Sequence, residues 1–427
     1  MRGRPPGMRG RAYRALLLKY DILGLPPEVQ QKIPALLRAQ EEFRRWAAEW
    51  AKSGGKVPMP EENPLRYLAQ KFVHAWNMLE WLRAHAVKRG MKVPLILDAQ
   101  LRLSDERDVS RGVLADVPKR KVRVRKLGTG TIALPLGEDA TKQILERVRE
   151  GAKLVLAAVW VGRSRGSRAA KLYIALVFRR EVEPVEPKRV LAIDLNALHN
   201  GITYAVVERN RVLRRGALRP DVSKIVHMQR RAAELDSLCA KRGDPYCKMA
   251  RSAKSRLWRL LREWEVGAAR ELVWLARKRK AAIVVDVPDD SSMRELKQDN
   301  KYPAERKALL NFGRLRRLIE GLAEWHGVPY VEARLFSTVC PRCGAKMQEL
   351  PERRVKCAQC GLEVHRDGVP AMWAQRRFDE LMRLANPPSF SSPDAYIAPL
   401  LCPLMEGRPP PGEGSRPAPP TSRLAAS

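Results

Sequence analysis

Two Cys-x-x-Cys pairs, Cys340-Pro-Arg-Cys343-Gly and Cys357-Ala-Gln-Cys360-Gly, constrain this chain more tightly than any other feature of its sequence. Each knuckle can wrap two thiolates around one cation, and the pair supplies the four sulfurs of a closed tetrahedral zinc site. Four thiolates leave no open coordination position, so this zinc is expected to be structural and not catalytic, with iron the minor competitor. The remaining cysteines, Cys239, Cys247 and Cys402, do not suggest a disulfide framework.

Charge narrows the partners. With 81 Lys+Arg against 47 Asp+Glu, a net +34 spread along 427 residues, the surface repels itself unless a polyanion neutralises it. Nucleic acid is therefore the expected partner. No apolar run approaches the roughly 20 residues that span a bilayer, and no signal-peptide pattern opens the chain, so no membrane partner and an intracellular, cytoplasmic setting are expected.

Taken in order, residues 1–11 read as a basic flexible arm. Residues 12–187 read as a β-rich domain carrying a helical insert at about 28–90. Within the insert Phe43, Trp46 and Trp50, and then Phe72 and Trp76, recur at helical spacing. Tryptophans at this spacing are more often core than base-stacking platforms. Tyr13–Tyr20 is compatible with a strand or a short helix. Strand-like runs then dominate: Lys121–Arg125 alternates apolar with basic residues, favouring phosphate contact by its basic face, and Leu154–Val161 and Leu172–Arg180 are apolar. The loop between the last two carries Arg163, Arg165 and Arg168, suited to a nucleic-acid backbone. Val182–Lys188 is a Pro-punctuated linker and sets the main boundary.

Beyond it, Val190–Glu208 reads as a β-hairpin with Asp194 near the end of its first strand. A carboxylate in an apolar strand carries a desolvation cost, and a bound cation is the obvious compensation. Helices follow at about Val222–Lys241 and Tyr246–Lys280, the second with a basic face that includes Lys254 and Arg256. Ala281–Val287 is a buried-strand candidate bearing Asp286, Leu309–His326 an amphipathic helix, and Val328–Val331 a short strand. After the cysteines, His365-Arg366-Asp367 opens a last helix. The tail from about residue 386 is too rich in Pro, Ser and Gly to order itself.

This order of parts resembles the RuvC-like nuclease region of the OrfB/TnpB proteins of insertion sequences, relatives of the compact type V CRISPR effectors. The resemblance is carried by Ile193-Asp194-Leu195, by Phe336-Ser337-Thr338-Val339 leading into Cys340, and by His365-Arg366-Asp367. It implies an α/β fold: an RNase H-like (RuvC) nuclease domain with an inserted four-Cys zinc ribbon, preceded by a β-rich wedge domain with a helical recognition insert. The parts would be residues 188–332 and 365–385 for the nuclease domain, 333–364 for the ribbon, and 386–427 for a disordered tail. It also implies Asp194, Asp286 and Asp367 as a catalytic triad of metal ligands for Mg²⁺ or Mn²⁺, a guide RNA, and target double-stranded DNA, in a nucleoid-associated prokaryotic protein of a mobile element. Two departures stand out: the second acid is usually Glu where Asp286 stands, and the third is usually followed by Asn-Ala-Ala where Gly368-Val369-Pro370-Ala371 stands. Three readings follow: an RNA-guided, metal-dependent DNA endonuclease; a cleavage-impaired, DNA-occupying regulator of the same ancestry; or an unguided RuvC-like nuclease.

Overall fold

Apolar runs of strand length and amphipathic helices build two compact units, one spanning Tyr13–Arg179 and one beginning at Arg180. The computed structural model describes residues 10–76, 93–104, 111–163, 170–196, 200–209, 211–244, 247–287 and 312–385. Arg165, Arg168, most of the N-terminal arm and the tail from residue 386 lie outside the described residues.

The first unit is built on a seven-stranded sheet of order β1-β7-β6-β2-β3-β4-β5. Its strands are β1 (Gly10–Asp21), β2 (Leu95–Arg102), β3 (Val113–Asp116), β4 (Lys121–Val124), β5 (Ile132–Pro135), β6 (Lys153–Arg163) and β7 (Ala170–Val182). Tyr13–Tyr20 thus resolves as strand, since edge pairing to β7 satisfies a backbone that its mixed sequence leaves undecided. Helices α1 (Ile33–Lys52) and α2 (Leu65–Trp76) follow β1. Their aromatics pack on each other, with Phe43 and Phe72 edge-to-face at 5.4 Å and the buried Trp46 indole donating to the Pro58 carbonyl at 3.1 Å. Trp46 is core and no base-stacking platform.

Two expectations need correcting here. The strand-like stretch contains a helix, α3 (Glu138–Arg149), which buries only Ile144 and Arg147, too thin an apolar stripe to show a period. The basic face of Lys121–Arg125 is partly committed inward: Arg123 and Arg102 both reach the fully buried Asp116, at 3.6 and 3.7 Å.

The second unit holds a five-stranded sheet of order β10-β9-β8-β11-β12, from β8 (Arg189–Leu195), β9 (Ile202–Glu208), β10 (Arg211–Leu218), β11 (Ala281–Asp286) and β12 (Tyr330–Ala333). The first three form an antiparallel meander, and β11 and β12 run parallel to β8. That is the order and polarity of the RNase H-like fold that the sequence led us to expect. β10 went unread because Arg211, Arg214 and Arg215 break the apolar run; as an edge strand paired only to β9 it tolerates them.

Helices α4 (Val222–Lys241) and α5 (Lys248–Arg279) cross from β10 to β11, and α6 (Phe312–Trp325) precedes β12. One face of the sheet packs on α5 and α6 through Leu191, Ile193, Ile283 and Val285. The other packs on α7 (Val369–Arg376) and α8 (Phe378–Leu384) through Val190, Ala192 and Val284. Pro370 lies in the first turn of α7, where its missing N–H costs nothing. A three-stranded sheet, β13 (Gln348–Leu350), β14 (Arg354–Lys356) and β15 (Glu363–His365), carries the cysteines. Cys239 and Cys247, whose sequence suggested no disulfide framework, form a disulfide with Cα atoms 5.8 Å apart. Cys239 lies near the end of α4 and Cys247 caps the start of α5, a juxtaposition that eight residues of sequence separation alone do not specify.

Candidate active site

Asp194 lies one residue from the end of β8, paired across the hairpin with Thr203. The hairpin closes through a backbone bond from Asn196 to Gly201 at 3.0 Å. Gly201 has φ +67°, and a Cβ there would stand 2.1 Å from the Leu218 carbonyl oxygen, so only glycine fits. Because Val285 of β11 is in register with Ile193, Asp286 reaches the same end of the sheet as Asp194. Asp367 arrives from the turn before α7, where its N–H donates to His365 Nδ1 at 3.3 Å. His365 orders that turn, as a capping residue does.

Asp194 senses the other two acids. Burial first, then the Asp286 carboxylate, push the Asp194 carboxyl up to about 6, with Asp367 adding to the rise against a hydrogen bond from Asn196. Burial likewise raises Asp286, opposed by the Leu335 N–H, which donates to its Oδ1 at 2.7 Å. The three carboxylates are not drawn into a group with ligand atoms all within 4.8 Å; among the described residues only the cysteines are. Hard oxygen donors, one of them raised by the charge of the other two, suit a divalent cation, which would remove that repulsion.

Two residues at this site were not anticipated from sequence. Asn196 donates from Nδ2 to Asp194 Oδ2 at 3.1 Å and to Thr203 Oγ1 at 3.3 Å. Its Oδ1 accepts from Arg353 Nη2 at 3.1 Å, and the same guanidinium nitrogen donates to Asp367 Oδ1. Arg353 belongs to the cysteine-bearing segment, so one side chain ties that segment to two of the acids' neighbourhoods. It stands in a turn where Glu352 and Arg353 both have positive φ, +57° and +59°. Two successive non-glycine residues in this region cost about 1–2 kcal/mol each, and such strain concentrates at functional sites. Asn196 had a signal, its place two residues after the acid; Arg353 had none, being one of many arginines.

The cysteine centre matches its sequence. The four Sγ atoms lie within 4.8 Å of one another, with Cys340–Cys360 and Cys343–Cys357 each at 3.4 Å. Gly344 and Gly361 follow the knuckles at φ +82° and +71°, and their N–H groups return to the Cys340 and Cys357 carbonyls. The Cys357 thiol is lowered to about 6, first by the Cys360 backbone N–H, and Cys340 is lowered too, while Cys343 and Cys360 are raised. The donor set is that of a structural zinc. Helix α7 grips the knuckles: Trp373 Nε1 donates to the Val339 carbonyl at 2.9 Å and Arg376 Nη1 to the Pro341 carbonyl at 2.8 Å.

The expected nucleic-acid contacts are dispersed. Lys254 is ion-paired to Asp236 of α4, Arg256 is exposed on α5, and Arg163 ends β6.

The protein-family model described as Cas12f1-like, TNB domain, matches residues 312–373, from α6 through the cysteine segment into α7. A TnpB-like protein of Methanocaldococcus jannaschii is 25% identical over 232 residues, covering 52% of this chain and 79% of that protein. Among solved structures, a Cas12f1–sgRNA–target DNA complex overlays with a TM-score of 0.47 at 13% identity, covering 82% of both chains. CasPhi-2 (Cas12j) bound to crRNA and phosphorothioate DNA overlays at 0.35 with 12% identity, covering 90% of this chain and 93% of that one. No helix among the described residues is long and apolar enough to cross a membrane.

Proposed function

For a chain that belongs with the TnpB/OrfB proteins, we propose the function of an RNA-guided, divalent-metal-dependent DNA endonuclease. The observation that carries the proposal is the approach of Asp194, Asp286 and Asp367 at one end of an RNase H-like sheet, with Asp194 raised to about 6 by burial first and then by the other two carboxylates. Asp194 is the central ligand, facing both others; Asp286 and Asp367 each hold one side. Mg²⁺ or Mn²⁺ bound there would supply an activated water and stabilise the leaving oxygen of a phosphodiester. Arg353 is placed to neutralise charge as the phosphorus centre becomes more negative. Asn196 keeps the Asp194 carboxylate oriented through its hydrogen bond to Oδ2. Base pairing with a guide RNA would carry sequence specificity, and the protein's positive charge would hold the heteroduplex by its backbone.

One observation favours the cleavage-impaired reading. Asp286 is a methylene shorter than Glu, and its Oδ1 is engaged by Leu335. Plasmid-library cleavage separates the two readings, using protein co-expressed with its flanking locus so that native RNA is loaded, with Asp194→Ala as control. Cuts beside a short motif, dependent on Mg²⁺ and RNA and abolished in the control, are the expected result. Motif-specific binding without cuts would identify a DNA-occupying regulator, and cuts without RNA would identify an unguided nuclease.

A further inference from the structure

Helix α5 is 32 residues long, yet only its C-terminal half packs on the sheet, through Ala268, Leu272 and Ala276. The halves meet at Glu265, which is buried and held by Arg314 of α6 in two bonds of 2.7 and 2.6 Å. N-terminal to that point, and apart from Trp264, which also touches the sheet core, α5 packs among the described residues on α4, through Leu257, Leu261 and Ile225. The direction of this two-helix arm follows from connectivity. Lys280, in the left-handed region, turns α5 straight into β11, so the helix runs back antiparallel to the strand. Six strand residues advance about 20 Å, which a helix covers in about 13 residues. The chain of α5 before about residue 266 therefore lies beyond the level of Asp194 and Asp286, and Trp258 lies about 10 Å past the acids along the strand direction.

The outer face of this arm has one composition. At about 100° per residue, Lys248, Arg251, Ser255, Trp258, Arg259 and Arg262 fall within about 50° of a single line, and all six are exposed. Trp258 is 42% exposed in its middle. Among the described residues Trp258 has no ring or cation partner, and Arg259 and Arg262 have no carboxylate partner. An indole left in water amid fixed positive charge fits a ligand that offers a π-face and phosphates together, which is an unpaired nucleotide strand.

We infer that Trp258 is a base-stacking platform for single-stranded DNA, and that the basic stripe of α5 leads the strand to be cut toward the acidic end of the sheet. The choice of DNA rests on the proposed nuclease reading; the stacking itself does not. A strand crossing the stripe places its phosphates on Arg259 and Arg262 and one base on the indole.

The test uses full-length protein with its native RNA loaded and carrying Asp194→Ala, so that binding is read without cleavage. A fluorescent twenty-nucleotide oligo-dT, an oligo-U of the same length and a twenty-base-pair duplex are titrated against this protein and against added Trp258→Ala or Trp258→Phe. Trp258→Ala is expected to weaken oligo-dT binding by about 5- to 100-fold, and Trp258→Phe by less than about 3-fold, with the duplex unaffected. Arg262→Gln should reduce the salt slope for oligo-dT by about 0.7 and leave the duplex slope alone. Photo-crosslinking with 5-iododeoxyuridine in the oligo-dT should map to the peptide containing Trp258. Unchanged oligo-dT affinity in Trp258→Ala, a crosslink elsewhere, or a loss confined to oligo-U would overturn the inference. Because no arm requires catalysis, a failure of the nuclease reading shows only in the plasmid assay.

Discussion

Replacing Arg353 with Gln should split metal affinity from turnover. The guanidinium contacts Asp367 and Asn196, and through Asn196 it reaches Asp194, so it is a fixed positive charge beside the proposed cation site. Its side chain is 28% exposed and that of Asp367 is 15% exposed, so the charge is neither fully screened nor fully buried. A unit charge about 6 Å from a dication, at an effective dielectric of about 40, opposes it by about 3 kcal/mol; with screening, about 1–3 kcal/mol is the working range. Removing the charge should therefore lower the Mg²⁺ concentration for half-maximal activity by about 5- to 100-fold. The same change removes a charged contact to the developing negative charge, worth about 1.5–3 kcal/mol, so saturating turnover should fall about 10- to 100-fold. Gln keeps a donor for Asn196, which guards against collapse of the turn. The assay is cleavage of a cognate target across a Mg²⁺ titration, with Asp194→Ala as the blank. Refutation would be an unchanged metal midpoint together with unchanged turnover. A drop in turnover with a raised midpoint would mean that Arg353 acts only by holding Asp367 in place.

Three further outcomes follow from the same geometry. Asp194 in the folded protein is raised from 3.8 to about 6, so the fold binds that proton more tightly than the unfolded chain does. Stability of metal-free protein should accordingly fall as pH rises from about 4 to 6, by roughly 2–3 kcal/mol for this group, while the Mg²⁺-induced rise in Tm should grow over the same interval; Asp194→Asn should flatten both profiles. Cutting the Cys239–Cys247 link by Cys239→Ser should cost about 2–3 kcal/mol by the loop-entropy model, read as a loss of Tm matched by dithiothreitol on the native protein, and non-reducing peptide mapping should show the link. Gly201→Ala should destabilise the fold by at least about 1–3 kcal/mol, since its Cβ would strike the Leu218 carbonyl and its φ is positive; a denaturant midpoint equal to the parent's would contradict the hairpin geometry.

The cysteine spacing by itself determined the four-sulfur cluster, because two knuckles with following glycines close locally and need little from the rest of the chain. Continuous apolar runs likewise marked β8, β9 and β11, and apolar periodicity marked the long helix α5, whose buried face runs from Ala250 to Ala276. Elements with little apolar burial stayed hidden: α3 buries a single apolar side chain, Ile144, and β10 is basic because it is an edge. Other facts arise only when distant segments meet. Arg353 reaches Asp367 across fourteen residues and Asn196 across 157, and Leu335 reaches Asp286 across 49. The meeting of the end of α4 with the start of α5 pairs Cys239 with Cys247. Sequence names the chemical groups; the raised proton affinity of Asp194 is a property of their separation and burial, which the folded chain sets.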